Sequence, residues 1–246
     1  MMADASPGGR VAEVRAGLAE VNARIDRARL AAGRSDAVGL VVVTKTFPAS
    51  DVEILAALGV TDVAENRDQE AKAKRLATEA TAPGLRWHMI GQLQRNKAAS
   101  VARWADVVES VDRLELVAAL GRAAASHGRT LEVLLQVSLD PVVVPGRGGA
   151  DPLEVPALAA AVVAEPALTL RGVMGVAPYP GADAPGAGPA AAFARLQDVS
   201  WALRERWPAA DRISAGMSGD LEDAVAHGAT HVRIGGAVLG QRTYVQ

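Results

Sequence analysis

Cysteine is absent from the 246-residue chain, which excludes a disulfide framework, a thiolate metal site and a cysteine nucleophile. Aromatic residues make up only 3%. The interior must therefore be filled by Val, Ile, Leu and Ala, which suits helices packed on a parallel sheet. A surplus of basic charge is also missing. The 26 Lys and Arg against 28 Asp and Glu give a formal net charge of −2, which is not the footprint of a nucleic-acid binder. The histidines His88, His127, His227 and His231 show no zinc-ligand pairing, because Gly228 falls between the last two as a helix stop. No apolar run approaches the ~20 residues that span a bilayer, and residues 1–9 contain no apolar signal core. The expectation is a cytoplasmic protein with no membrane or nucleic-acid partner, with a flexible stretch over 1–9 and a single domain over 10–246.

What is present is a rhythm. Val11, Val14, Leu18, Val21 and Ile25 recur at helical spacing, predicting an N-terminal helix that stops near Gly33. Eight short apolar runs follow, over 39–45, 62–66, 86–91, 106–111, 131–138, 170–176, 212–216 and 230–235. Most are continuous rather than alternating, the pattern of strands buried on both faces. The stretches between them are long enough for the crossover helices that parallel strands require; the clearest are 49–58, 93–102, 114–125 and 221–227. Eight such units in one chain predict a single (β/α)8 TIM barrel with an extra N-terminal helix. An open doubly wound sheet would want a glycine-rich loop after its first strand, whereas that strand ends in Thr44-Lys45-Thr46. Two Pro/Gly-rich segments, 140–151 and 178–189, follow strands on the face where barrel enzymes carry functional loops.

Barrel sites lie at the C-terminal ends of the strands. The residues at those ends are Lys45, Asn66, His88, Ser110, Gln136 with Ser138, Met174, Ser214 and Arg233. Lys45 ends a buried strand, where partial desolvation favours the neutral, nucleophilic amine; a lysine that snorkels to solvent also fits the position. The segments 214–220 and 233–240 follow the last two strands and are glycine-rich. Their backbone N–H groups suit a phosphate, although ordinary turn glycines fit as well. Met217-Ser218-Gly219 lacks the spacing of a nucleophile elbow.

Several blocks together resemble a known family. They are Val43-Thr44-Lys45-Thr46, Ala64-Glu65-Asn66, the run from Trp87 to Lys97 (WHMIGQLQRNK), Ser110-Val111-Asp112-Arg113-Leu114, Leu170 to Met174, Ser214 to Asp220 (SAGMSGD) and Val232-Arg233-Ile234-Gly235. The chain resembles the pyridoxal phosphate homeostasis proteins of the YggS/PROSC type over about residues 10–242. The resemblance implies a barrel like that of alanine racemase without the racemase's second domain, and pyridoxal 5'-phosphate (PLP) held as a Schiff base on Lys45. It implies phosphate contacts from Ser214, Gly216, Met217, Ser218, Gly235 and Gly236, an Arg233 facing the pyridine nitrogen, and Asn66, His88 and Met174 lining the pocket. Three positions depart from the family pattern. Arg67 stands where a tyrosine is usual, and Gly236 where a threonine or serine is usual. Arg147 lies in a loop where relatives often carry a lysine followed by glycine.

The resulting expectation is a monomeric PLP carrier in vitamin B6 homeostasis, with apo-PLP enzymes as recipients and no certain catalytic residue. The alternative is a PLP-dependent amino-acid racemase using Lys45 as a base. Such an enzyme needs a second base, and the chain has only Tyr179 and Tyr244 to offer as tyrosines. A third reading makes Lys45 the Schiff-base lysine of a lyase acting on a phosphorylated sugar.

Overall fold

A computed structural model of the chain describes residues 7–140, 146–178 and 188–240. Eight parallel strands close into a barrel in chain order. They are β1 (Gly39–Val43), β2 (Asp62–Glu65), β3 (Arg86–Met89), β4 (Val107–Val111), β5 (Leu131–Val137), β6 (Leu168–Gly175), β7 (Arg212–Ser214) and β8 (His231–Ile234). Helices α1 (Pro7–Ala31), α2 (Ala49–Ala57), α3 (Asp68–Thr78), α4 (Ala98–Trp104) and α5 (Leu114–Ser126) accompany the first half. Helices α6 (Val155–Ala164), α7 (Pro189–Arg206), α8 (Leu221–Ala226) and α9 (Gly236–Leu239) accompany the second. Parts of both Pro/Gly-rich segments, 141–145 and 179–187, lie outside the described residues, as do residues 1–6 and 241–246.

The eight expected strands are all present; seven are shorter than expected, and β6 begins two residues earlier, at Leu168. Thr44 and Lys45 leave β1 for a turn, and Asn66 leaves β2. Helix α1 begins at Pro7, inside the stretch expected to be flexible; proline is well suited to a first helical position. The helix expected over 93–102 starts later, through a 3-10 turn at Arg95–Lys97.

Strand alternation divides the apolar residues between two layers. Val42, Val63, Trp87, Met89 and Val108 face the helices and join the main core with Leu55, Leu116, Leu120, Phe193 and Leu196. Inside the barrel, Val41, Val43 and Ala64 pack with Ile90 on one wall. Val107, Leu134 and Met174 pack with Val176 on the other. Between these patches the lumen is filled by charged and polar side chains.

Helix α1 packs along α8 and α9. A Cβ at Gly17 would sit 2.4 Å from the Val238 carbonyl oxygen, so glycine permits that approach. Arg10 donates to both carboxylate oxygens of Asp51 on α2, at 3.0 and 2.6 Å, and to the Leu239 carbonyl at 3.0 Å. Arg24 forks onto Glu222 at 2.6 Å on each oxygen and donates to the Ser218 carbonyl at 2.7 Å. The added helix thus braces the loops that follow β7 and β8.

Candidate functional site

Lys45 occupies a β-turn at the C-terminal mouth of the barrel. Phe47 N–H donates to the Thr44 carbonyl at 3.0 Å, which makes Lys45 and Thr46 the central pair. Thr46 has φ +70°, a left-handed conformation that glycine normally supplies. The lysine itself is half-buried.

The glycine-rich loops arrive beside this turn through the β1–β8 pairing, in which Val42 lies opposite Ile234. A Cβ at Gly235 would come within 2.9 Å of the Val43 carbonyl oxygen, so the β8–α9 loop presses on the strand end that carries Lys45. Gly216 adopts φ +92°, and a Cβ there would lie 2.7 Å from the Ala224 Cβ. Its carbonyl accepts from Arg233 N–H at 2.9 Å, joining the two loops. Met217 N–H donates to Asp220 Oδ1 at 2.6 Å, and the Ser218 carbonyl takes the Arg24 bond. A Cβ at Gly236 would meet nothing within 4 Å.

Below the mouth runs a buried polar chain. Arg233 donates from NH1 to Ser214 Oγ at 2.7 Å and from NH2 to the Gly175 carbonyl at 2.8 Å. Ser214 Oγ donates to Glu109 Oε2 at 2.6 Å, and Arg233 NH1 lies 3.7 Å from the same carboxylate. Glu109 Oε1 is 2.6 Å from His88 Nδ1, and His88 Nε2 is 2.9 Å from Asp62 Oδ1. With a carboxylate at each ring nitrogen, His88 donates from both as an imidazolium. Burial pulls the His88 pKa down, but the bonds to Asp62 and Glu109 outweigh burial and hold it above its ordinary value. Burial likewise pushes Glu109 up, yet the imidazolium and Arg233 bring it to about 2. Asp62 also reaches about 2, because His88 and Thr61 overcome its desolvation.

The sequence-predicted residues divide into two groups. Lys45, Gly216, Met217, Ser218, Gly235 and Gly236 form the mouth, with Asn66 at the end of β2. Ser214, Arg233 and His88 are almost fully buried and meet through Glu109. Met174 is buried in the wall of the lumen. Arg147 donates to the carbonyls of Val176 at 2.9 Å and Ala177 at 2.6 Å and pairs with Asp140 at 3.0 Å, tying the β5 loop to the end of β6.

Glu109 was missed in favour of its neighbour Ser110. Counting every second residue from the lumen-facing Val107 selects Glu109, whereas the Ser110 hydroxyl is buried without a partner among the described residues. Lys74, Glu65 and Glu70, which surround the Lys45 turn, were also missed.

The arrangement offers a primary amine at the mouth, a glycine-lined junction between two loops, and one buried guanidinium beneath them. That set fits a phosphorylated aldehyde cofactor. The alanine racemase N-terminal domain model matches residues 17–243. A pyridoxal phosphate homeostasis protein from Mycobacterium tuberculosis is 44% identical over 95% of this chain and 94% of its own length. The Escherichia coli protein of the same name is 37% identical over 92% and 96%. The structure of PipY from Synechococcus elongatus with PLP bound superposes with a TM-score of 0.75 at 31% identity, covering 92% of this chain and all of that one. Sequence, fold and mouth geometry agree: the chain belongs to the pyridoxal phosphate homeostasis protein family, built on the alanine racemase N-terminal domain.

Proposed function

We propose that this chain binds PLP reversibly on Lys45 and serves intracellular PLP homeostasis. The carrying observation is that the β1–β8 register sets the glycine-rich loop directly against the strand end bearing Lys45. The glycine-rich loops and the Lys45 amine then meet one small molecule at two points, its phosphate and its aldehyde.

PLP supplies an aldehyde that condenses reversibly with a primary amine. The chain's residues supply everything else. Lys45 is the amine that forms the Schiff base. Gly216 and Gly235 bring backbone close to the phosphate, with Met217, Ser218 and Gly236 completing that cradle and Ser214 supporting it from beneath. Asn66 lines the mouth, and Met174 and His88 support it from the lumen.

Arg233 would face the pyridine nitrogen of bound PLP. Held by Ser214 and Gly175, its positive charge would disfavour a proton on that nitrogen. A ring so placed is a weak electron sink, which suits holding over transformation. Apo-PLP enzymes are the recipients in this reading, and the carrier acts as a cytoplasmic monomer. The racemase alternative is not favoured, since the relatives carry the homeostasis name. Tyr179 and Tyr244 lie outside the described residues.

The test is the absorption spectrum of the purified protein with added PLP, before and after borohydride, with peptide mapping. A visible band removed by borohydride and a phosphopyridoxyl adduct on Lys45, both lost in Lys45→Ala, are expected. No band and no adduct under excess PLP would overturn the reading.

A further inference from the structure

The turn that carries Lys45 is unfavourable by itself. Thr46 is a β-branched residue at φ +70°, which for an L-residue costs roughly 1–2 kcal/mol, so the surroundings have to impose it. Beneath the turn lies a buried lysine that the proposed PLP chemistry does not use. Lys74 on α3 has a side chain 8% exposed and donates three bonds of 2.7 Å, to the Thr44 carbonyl, Glu65 Oε1 and Glu70 Oε1. Glu65 Oε1 also accepts from Thr44 Oγ1 at 2.6 Å. Glu70 Oε1 accepts from the Thr46 N–H at 2.5 Å. The two residues flanking Lys45 are therefore both fastened to one ammonium and its two carboxylates. An ion cluster this buried is costly to desolvate, and its bonds go to the backbone of the turn.

We propose that Lys74, Glu65 and Glu70 are positioning residues that hold the Thr44–Thr46 turn so that the Lys45 amine points into the PLP site; this rests on the PLP reading above. The cluster touches the main chain on either side of Lys45 and reaches the cofactor only through that lysine. Glu70 is the informative member. Among the described residues it alone holds the strained Thr46 amide, and its side chain is 26% exposed, so Glu70→Ala leaves the buried Lys74–Glu65 pair intact and the barrel folded. Glu70→Gln keeps an acceptor for the amide.

The experiment compares wild type, Glu70→Ala and Glu70→Gln in three measurements. Without cofactor, hydrogen exchange at the Thr46 amide reports the turn, and it accelerates in Glu70→Ala but not in Glu70→Gln. PLP affinity reports the amine, and the Kd rises about tenfold in Glu70→Ala, the equivalent of one hydrogen bond of about 1.4 kcal/mol, with recovery in Glu70→Gln. Pyridoxine 5'-phosphate, which carries an alcohol in place of the aldehyde and cannot link to lysine, reports the cradle alone, and its Kd stays within about twofold of wild type in every variant. Equal PLP affinity in Glu70→Ala and wild type would overturn the proposal. So would equal weakening for both ligands, which would mark a general structural effect. A wild type that takes up no PLP would instead remove the functional reading, and this inference with it.

Discussion

Glu109 is the residue on which the barrel lumen depends most. It is 1% exposed and stands between two cations, His88 at 2.6 Å and Arg233 at 3.7 Å, while also accepting from Ser214 at 2.6 Å. Replacing it with alanine leaves Arg233 buried with only the Asp220 carboxylate to act on its charge, and His88 with Asp62. Removing one partner from a buried ion network costs about 3–5 kcal/mol. For a chain of this size each kcal/mol lowers Tm by about 2–4 °C, so Glu109→Ala is expected to melt roughly 6–20 °C below wild type. Glu109→Gln keeps the shape and one acceptor and loses the charge, and about 1–3 kcal/mol is expected. The pH profile supplies a second signature. His88 has a folded pKa above its ordinary value, so its contribution is complete below about pH 6.5 and fades as pH rises through the folded pKa. Glu109 and Asp62 are depressed to about 2, so their contributions are present above the ordinary carboxylate range and fade on acidification. In Glu109→Gln, His88 loses one of the two partners that hold its proton, and the alkaline loss of stability shifts to lower pH. Urea unfolding across about pH 5–9, with His88 followed by NMR, measures both effects. A Glu109→Ala variant within about 1 kcal/mol of wild type, with an unchanged alkaline limb, would refute the view that this chain of bonds is dry and charged.

Three further outcomes follow from the mouth. Gly236→Ser adds a hydroxyl where a Cβ meets nothing within 4 Å; one new hydrogen bond of about 0.5–1.5 kcal/mol should tighten PLP binding by about 2- to 10-fold, read by equilibrium titration. Gly216→Ala places a side chain at φ +92° and 2.7 Å from the Ala224 Cβ. Strain and overpacking together should cost roughly 2–4 kcal/mol in urea unfolding and weaken PLP binding. Arg24→Ala removes the brace on the Ser218 carbonyl. Its ion pair with Glu222 is largely solvent-facing, so stability should fall by less than about 1 kcal/mol, while PLP should dissociate faster in a stopped-flow competition.

Much of the site was legible because the mouth of a parallel barrel is written in short local motifs. Lys45, Asn66 and the glycines of 214–220 and 233–240 follow apolar runs directly, and chain order alone delivers them to one face of the barrel. Arg233 and Ser214 were legible for the same reason. The interior was not. In the run over 106–111, two polar residues stand side by side, and a slip of one residue exchanges which of them faces the lumen. Reading the strand end selects Ser110, and the β4–β5 pairing is itself irregular between Val108 and Val111. Lys74 gave no signal at all. It sits in a charged helix one turn from Glu70 and two residues from Lys72, and nothing in that string says which lysine is buried.

The sequence by itself determined the eight-fold alternation of strand and helix, the helix added before it, and the lysine and glycine loops at the strand ends. Those features rest on local periodicity, turn residues and connection length, which are properties of neighbouring residues along the chain. The tertiary structure alone decided the pairings that cross the barrel or join separate layers: Glu109 with His88 and Arg233, Lys74 with the Lys45 turn, and Arg24 with the Ser218 loop. A charged side chain is buried only where closure of the sheet and docking of the helices bring it a partner of opposite sign. The pairings named here join residues 21 to 194 positions apart in the chain, and at those separations no local pattern encodes their meeting.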